Sequence, residues 1–378
     1  MLKINTLIIG GGISGLSTAY NLKKGGFSDF KIITEDIGGR VCFSKDGNVQ
    51  YGAYYVMEKI YVNTRKFLKL GRKINRSEMF YHKRGETYTI LQLSFIKYIP
   101  QLIRLIFLLL KFKRHYIKFK KESCFRPQDE VIKSDPYLLY VYETNAEKYM
   151  KEHGISDIVH RYMEEVLHGT TFTKVNKINT FSFLQFSLPL ITSASEFTLD
   201  KDKIIEGFRE NIILDTVTSI KKTEDGHLVK TLKEEYLVKN VVVATPPNVS
   251  TKLLHMKELK GGVDAYMFHI VGQAKVDWQE TRFNLFSDEN DMLAIAFMAD
   301  KSCLFYSKKS NPDLDKYFYD YKVIEKKFWN PAFNLEGGVL WPSKIEDGLL
   351  LIGDHNVCDI DDAFITGIFA ANQILKNK

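Results

Sequence analysis

The chain has 378 residues, 45% hydrophobic and 26% charged, a composition that folds as one large or two ordinary domains and excludes a disordered chain. Its 26 Phe and 20 Tyr supply aromatic surface for a large core and for a pocket that takes a flat ligand. The net charge of +7 is mildly basic, but no basic run is interleaved with aromatics on a polar segment, so nucleic acid is not an expected partner.

Leu7, Ile8 and Ile9 form a short apolar run of the kind found in a buried parallel strand. The run leads straight into glycines, which is the pattern of a core strand and not of a secretory leader, so a cytoplasmic setting is expected. Gly10, Gly12 and Gly15 follow as G-x-G-x-x-G: the first permits a tight turn, the second lets backbone N–H groups approach a pyrophosphate, the third lets a helix pack on the strand. The helix is predicted from about Ser14 to Lys24, with Ile13 and Ser14 at the end whose unpaired N–H groups face an anion. The stretch FKIITE predicts a second strand that ends at Glu35, 20 residues after Gly15, where a carboxylate accepts hydrogen bonds from a ribose; Asp36 adjoins it. A second glycine pair, Gly38 and Gly39, then keeps the backbone close to a cofactor, and Arg40 offers a forked cation to a pyrophosphate. An NAD-binding fingerprint does not need this second pair, although NAD stands as the alternative dinucleotide.

Together GGGISGLSTAYNL, GGRV and DGNVQYGAYYV resemble the glutathione-reductase-type FAD fold of flavin amine oxidases, protoporphyrinogen oxidases and carotenoid desaturases, with UDP-galactopyranose mutases more distant. The resemblance implies an α/β architecture: a Rossmann-like FAD-binding domain and a second α+β substrate domain with a helical insertion. It implies non-covalent FAD, with Gly52 and Ala53 near the flavin. The spacing from Glu35 to Gly38 is shorter than the family's. Two later stretches carry the resemblance on. Residues 213–247 read as strands around the turn Glu224-Asp225-Gly226, with Val217 implied at the adenine and Ala244 at the end of an apolar strand. The C-terminal GLLLIGDHNVCDIDDAFITGIFAANQILK resembles the closing motif: Gly353 and Asp354 at the ribityl chain, and a helix from about Asp362 to Leu375 whose start, near Ala363 and Phe364, points at the flavin. The cofactor domain is therefore expected to be discontinuous, 1–55, 204–255 and 338–378, with 56–203 and 256–337 forming the substrate domain.

Between these pieces, in the segment 96–121, Lys97, Arg104, Lys111 and Lys118 recur every seven residues, Arg114 and Lys121 fall close to the same stripe, and the other faces carry apolar residues such as Leu102, Leu105, Ile106 and Leu109. Its uncharged run is too short to span a bilayer. It is either a core helix with one solvated basic stripe or an interfacial helix in peripheral contact with an anionic membrane. Lys275, in an alternating strand, matches a position where amine-oxidase relatives hold a water near the flavin; otherwise it is an edge-strand lysine. Trp341 and the pair Tyr54 and Tyr55 stand where relatives place aromatics beside the flavin; otherwise they are core residues. His168 and His269 read as core or surface histidines. Cys42, Cys124, Cys303 and Cys358 match no zinc spacing, so free thiols and no metal are expected. Cys358 lies downstream of the acidic motif, on the wrong side for a covalent flavin link.

The resemblance implies an FAD-dependent oxidoreductase that removes a hydride equivalent from an amine or from an apolar cyclic or polyene molecule. A flavin-dependent non-redox isomerase like UDP-galactopyranose mutase is the alternative, and a non-catalytic flavin-binding protein the third reading. No acid/base pair, nucleophile triad or phosphate-transfer loop is visible.

Overall fold

The computed structural model describes residues 1–376 apart from 48, 91, 258–261, 276–281 and 288–291. The apolar runs of the two ends and the middle meet in one sheet, parallel except at the edge strand Lys344–Glu346 and the hairpin. Its order is Lys344–Glu346, Leu349–Leu351, Glu235–Val243, Leu2–Gly12, Phe30–Gly38, Ile212–Leu214, with the hairpin Val217–Thr223 and Gly226–Thr231 turned out from Glu235–Val243. The strand Leu2–Gly12 lies at the centre, parallel to both neighbours, and Leu7, Ile8 and Ile9 are buried on both faces. That is why the run reads as continuously apolar rather than alternating.

The first helix, Ile13–Lys24, starts directly from this strand and packs on the last helix, Ile360–Lys376. The contact is close because it has a glycine at its centre. A Cβ on Gly367 would stand 2.3 Å from the Ser14 carbonyl oxygen and 2.6 Å from Ser17 Cβ. Ser17 Oγ in turn donates to the Phe364 carbonyl at 2.7 Å.

Two further sheets and a helical layer complete the molecule. One runs Phe318–Asn334, Gly262–Ala274, Cys303–Ser307, Met292–Phe297, Phe283–Phe286, Met79–Lys83, Glu86–Tyr88; the other joins Val56–Met57, Ala194–Leu199 and Leu68–Lys73. The longest helix, Ile99–Glu122, opens with Pro100 in its first turn, where the missing N–H costs nothing. Its inner face, Leu105, Leu109, Phe112, Tyr116 and Phe119, is buried in the main core.

Two local expectations are corrected. The second strand does not end at Glu35: it continues to Gly38, and after a bulge Gly11 pairs with Ile37 and Gly12 with Gly38. The buried Thr34 hydroxyl makes this possible, accepting from Gly11 N–H at 2.8 Å and donating to the Asp36 carbonyl at 2.6 Å. The segment Leu93–Glu122 is, by length and composition, apolar enough to cross a membrane, although its uncharged run is short; only 11% of its most apolar window is buried.

Candidate dinucleotide site

The glycine-rich turn needs Gly10 and Gly15 because a side chain at either would strike backbone. Gly10 has φ +109°, and a Cβ there would stand 2.6 Å from the Ala244 carbonyl oxygen; one on Gly15 would stand 2.0 Å from the Gly10 carbonyl oxygen. At Gly12 a Cβ would meet nothing within 4 Å, so the chain is open to a ligand at that point. Gly12 caps the first helix without a side-chain hydrogen bond, and no acidic residue sits in the first turn. The positive helix end with Ile13 and Ser14 is thus left to an anion.

Residues from distant segments converge here. A Cβ on Gly39 would stand 3.3 Å from Gly12 Cα, and Gly52 packs so tightly on the Arg40 carbonyl that any side chain would collide with it. Arg40 Nη2 lies 2.5 Å from Asp354 Oδ1, and Arg40 Nη1 donates to the Ala332 carbonyl at 3.0 Å. Gly353 lies beside Ser14, its N–H donating to Thr366 Oγ1 at 3.0 Å. Burial pushes the Asp354 carboxyl up, but the Arg40 guanidinium outweighs it and holds the group below the ordinary carboxylate value. The arginine is deep in the fold, yet 32% of its side chain reaches solvent. Gly12, Gly52, Ala53, Tyr54 and Tyr55 are likewise half-exposed among buried neighbours. Those residues keep part of their surface open.

At the far end of the turn, Glu35 is exposed and accepts from Thr216 Oγ1 at 2.9 Å, which places it beside Val217. The adenosine-side candidates are therefore neighbours in space. Asp36 binds its own following N–H, at Ile37, at 2.7 Å. Ala363 and Phe364 are buried in the first turns of the last helix.

The three candidate catalytic residues are scattered. Tyr54 donates to Glu196 Oε1 at 2.6 Å, and Glu196 is held by Arg72 and Arg282. Burial, then the Glu196 charge, pushes the Tyr54 phenol well above its usual range, so it stays protonated. Trp341 is buried on the other side of the parallel sheet with Val241, Leu349 and Leu351, and stacks on His355. Lys275 lies six residues beyond His269 in the chain, roughly 20 Å along the strand at about 3.3 Å per residue, with Nζ over the Tyr319 ring. His269 is buried and hydrogen-bonded to the Tyr51 hydroxyl at 3.1 Å. All four cysteines are free; burial pushes the Cys358 thiol far up, so it is a poor nucleophile.

Sequence reasoning missed two features. His355 lies against the site's acidic residue; burial lowers it to about 4, so it is neutral, and it contacts Ser250 Oγ at 3.2 Å. At the start of the last helix, Asp359, Asp361 and Asp362 are buried around Lys120 of the long helix, at 3.8, 3.3 and 3.3 Å. A lysine on the buried face of an apolar helix and the run DIDD were the available signals.

An open glycine, an uncapped helix end, a forked cation and an exposed carboxylate some distance away suit the pyrophosphate and ribose of a dinucleotide. Comparison with known proteins agrees with that geometry. Residues 8–69 match the profile of the NAD(P)-binding Rossmann-like domain family. No curated protein sequence matches the chain. Among solved structures the fold is similar to putrescine oxidase with bound putrescine (TM-score 0.67, 13% identity, 99% of each chain covered). It is also similar to cyclohexylamine oxidase from Brevibacterium oxydans IH-35A (TM-score 0.65, 13% identity, 99% of this chain and 98% of that one). A third is a protein of Exiguobacterium sp. 255-15 provisionally designated a protoporphyrinogen oxidase (TM-score 0.64, 13% identity, 100% and 99%). The chain therefore shares the amine-oxidase fold over its whole length.

Proposed function

We propose that this chain is an FAD-dependent oxidoreductase that removes a hydride equivalent from an amine or an apolar cyclic or polyene substrate. The observation that carries the reading is the meeting of the N-terminal Gly12, Arg40 and Gly52 with the C-terminal Asp354 in an amine-oxidase fold. FAD supplies the acceptor for the hydride. The chain's own part is binding and exclusion of water. The first helix and Arg40 hold the pyrophosphate, Glu35 the adenosine ribose, Asp354 the ribityl hydroxyls. In this reading Arg40 and Asp354, paired with each other in the structure, each turn part of their bonding capacity to the cofactor. Tyr54, locked by Glu196, forms a fixed wall of the site. Trp341, stacked on His355, stands behind Asp354 in this reading, and Lys275 is assigned no role.

The test is a visible absorption spectrum of the purified protein, with acid release and identification of the chromophore. Yellow protein that releases FAD into the supernatant is expected. Arg40→Ala should lower FAD affinity roughly 10- to 100-fold, the loss of one charge-assisted hydrogen bond. Protein that takes up NAD(P) but not added FAD, or an Arg40→Ala variant with unchanged FAD occupancy, would sink the assignment.

A further inference from the structure

The helix Ile99–Glu122 is apolar on two faces, and the core explains only one of them. Ile96, Ile99, Ile103, Phe107 and Leu110 recur every three or four residues, Ile117 follows two turns on, and all are exposed, Phe107 by 68%. At helical spacing they form a single stripe, about 27 Å from Ile99 to Ile117 at 1.5 Å per residue. Scattered surface hydrophobics need no explanation, but a continuous stripe marks an interaction.

A second stripe runs beside it. Lys97, Arg104, Lys111 and Lys118 project from the same side, and Arg114 and Lys121 lie within the apolar row itself. Between Glu86 and Glu122 the chain contains no acidic residue. The charge selects the partner. A second copy docked stripe to stripe would set these cations against one another. Lys118 pairs with Glu122 at 3.7 Å, but a neutral apolar groove would leave Lys97, Arg104 and Lys111 without counter-charge. A surface with acyl chains below and phosphates above satisfies both stripes.

The inner face settles the orientation. Lys120 is buried among three aspartates, and five large side chains hold the helix to the core along its length. A helix anchored along one whole side lies on a bilayer and does not cross it. We propose that Ile99–Glu122 rests in the plane of an anionic membrane surface, with Ile103, Phe107 and Leu110 in the acyl boundary and the lysines and arginines at the headgroups. The inference is independent of the cofactor reading.

The experiment is co-sedimentation of the full chain with phosphatidylcholine vesicles with and without phosphatidylserine. Binding to the anionic vesicles, weakened by salt, is expected. The double variant Ile103→Ser, Phe107→Ser should reduce partitioning by at least about tenfold. Lys97→Gln or Lys111→Gln should each reduce it about fivefold. Leu232→Ser, at an exposed hairpin residue remote from the helix in sequence, should leave it unchanged. The substituted sites are exposed, and circular dichroism with a thermal melt confirms folding; Phe107→Ser alone serves if the double variant unfolds. Absence of vesicle binding, or equal binding by the double variant, overturns the proposal. So does concentration-dependent dimerisation that the double variant abolishes, which would assign the stripe to a second copy.

Discussion

Three aspartates and one lysine share a buried pocket at the start of the last helix. Burial raises Asp359 and Asp362, the latter to about 7, although Lys120 opposes the shift. For Lys120 burial acts downward, but the three carboxylates outweigh it and keep the amine protonated. The sign follows from proton linkage. The folded state holds a proton on Asp362 that the unfolded state releases near its ordinary value, so this group favours folding most in acid. Its contribution declines as pH rises from about 4 to about 7, at up to about 1.4 kcal/mol per pH unit. Urea unfolding across that range should show the decline, and Asp362→Asn should flatten it. An unchanged slope in the variant would place the proton elsewhere. Arg40 and Asp354 illustrate the opposite balance, a one-to-one pair in which both groups stay charged.

At the scale of elements, the first and last helices position the site. Their contact rests on Gly367, where any Cβ strikes the Ser14 and Ser17 region. Gly367→Ala should cost about 1–3 kcal/mol by forcing the helices apart, measured as a lower urea midpoint with unchanged slope. A variant as stable as the parent would show that the helices can separate freely. The glycine-rich turn was legible in the sequence because its spacing carries its mechanism. The role of Gly367 was not, because an interior helix glycine has the same local signature whether it packs or merely occurs. The extension of the second strand to Gly38 was hidden for a related reason. Its cause is the Thr34 hydroxyl bridging Gly11 and Asp36, a contact across 23 residues that no local pattern records.

Across the whole molecule, Arg40 meets Asp354 and Ala332 from segments some three hundred residues away, so a ligand held as proposed would tie distant segments together. Added FAD should therefore stabilise the fold by mass action, about 2.7 kcal/mol at a hundredfold excess over Kd. The melting temperature should keep rising with FAD concentration, and NADP should have little effect. A melting temperature indifferent to FAD would mean that the site does not take it.

The sequence by itself determined the parallel sheet, the turn at Gly10, Gly12 and Gly15, and the acidic and basic groups gathered near it. These rest on local rules: apolar runs, glycine spacing, and a helix end that follows a strand. Only the tertiary structure decided where the candidate aromatics and the candidate lysine lie. Tyr54 and Trp341 look alike in sequence, yet the parallel sheet separates them, because the side on which a residue falls depends on how distant strands pair. The same holds for the long helix. Its sequence places apolar residues on two faces, and only packing against the core shows which is spent inside and which is left facing outward.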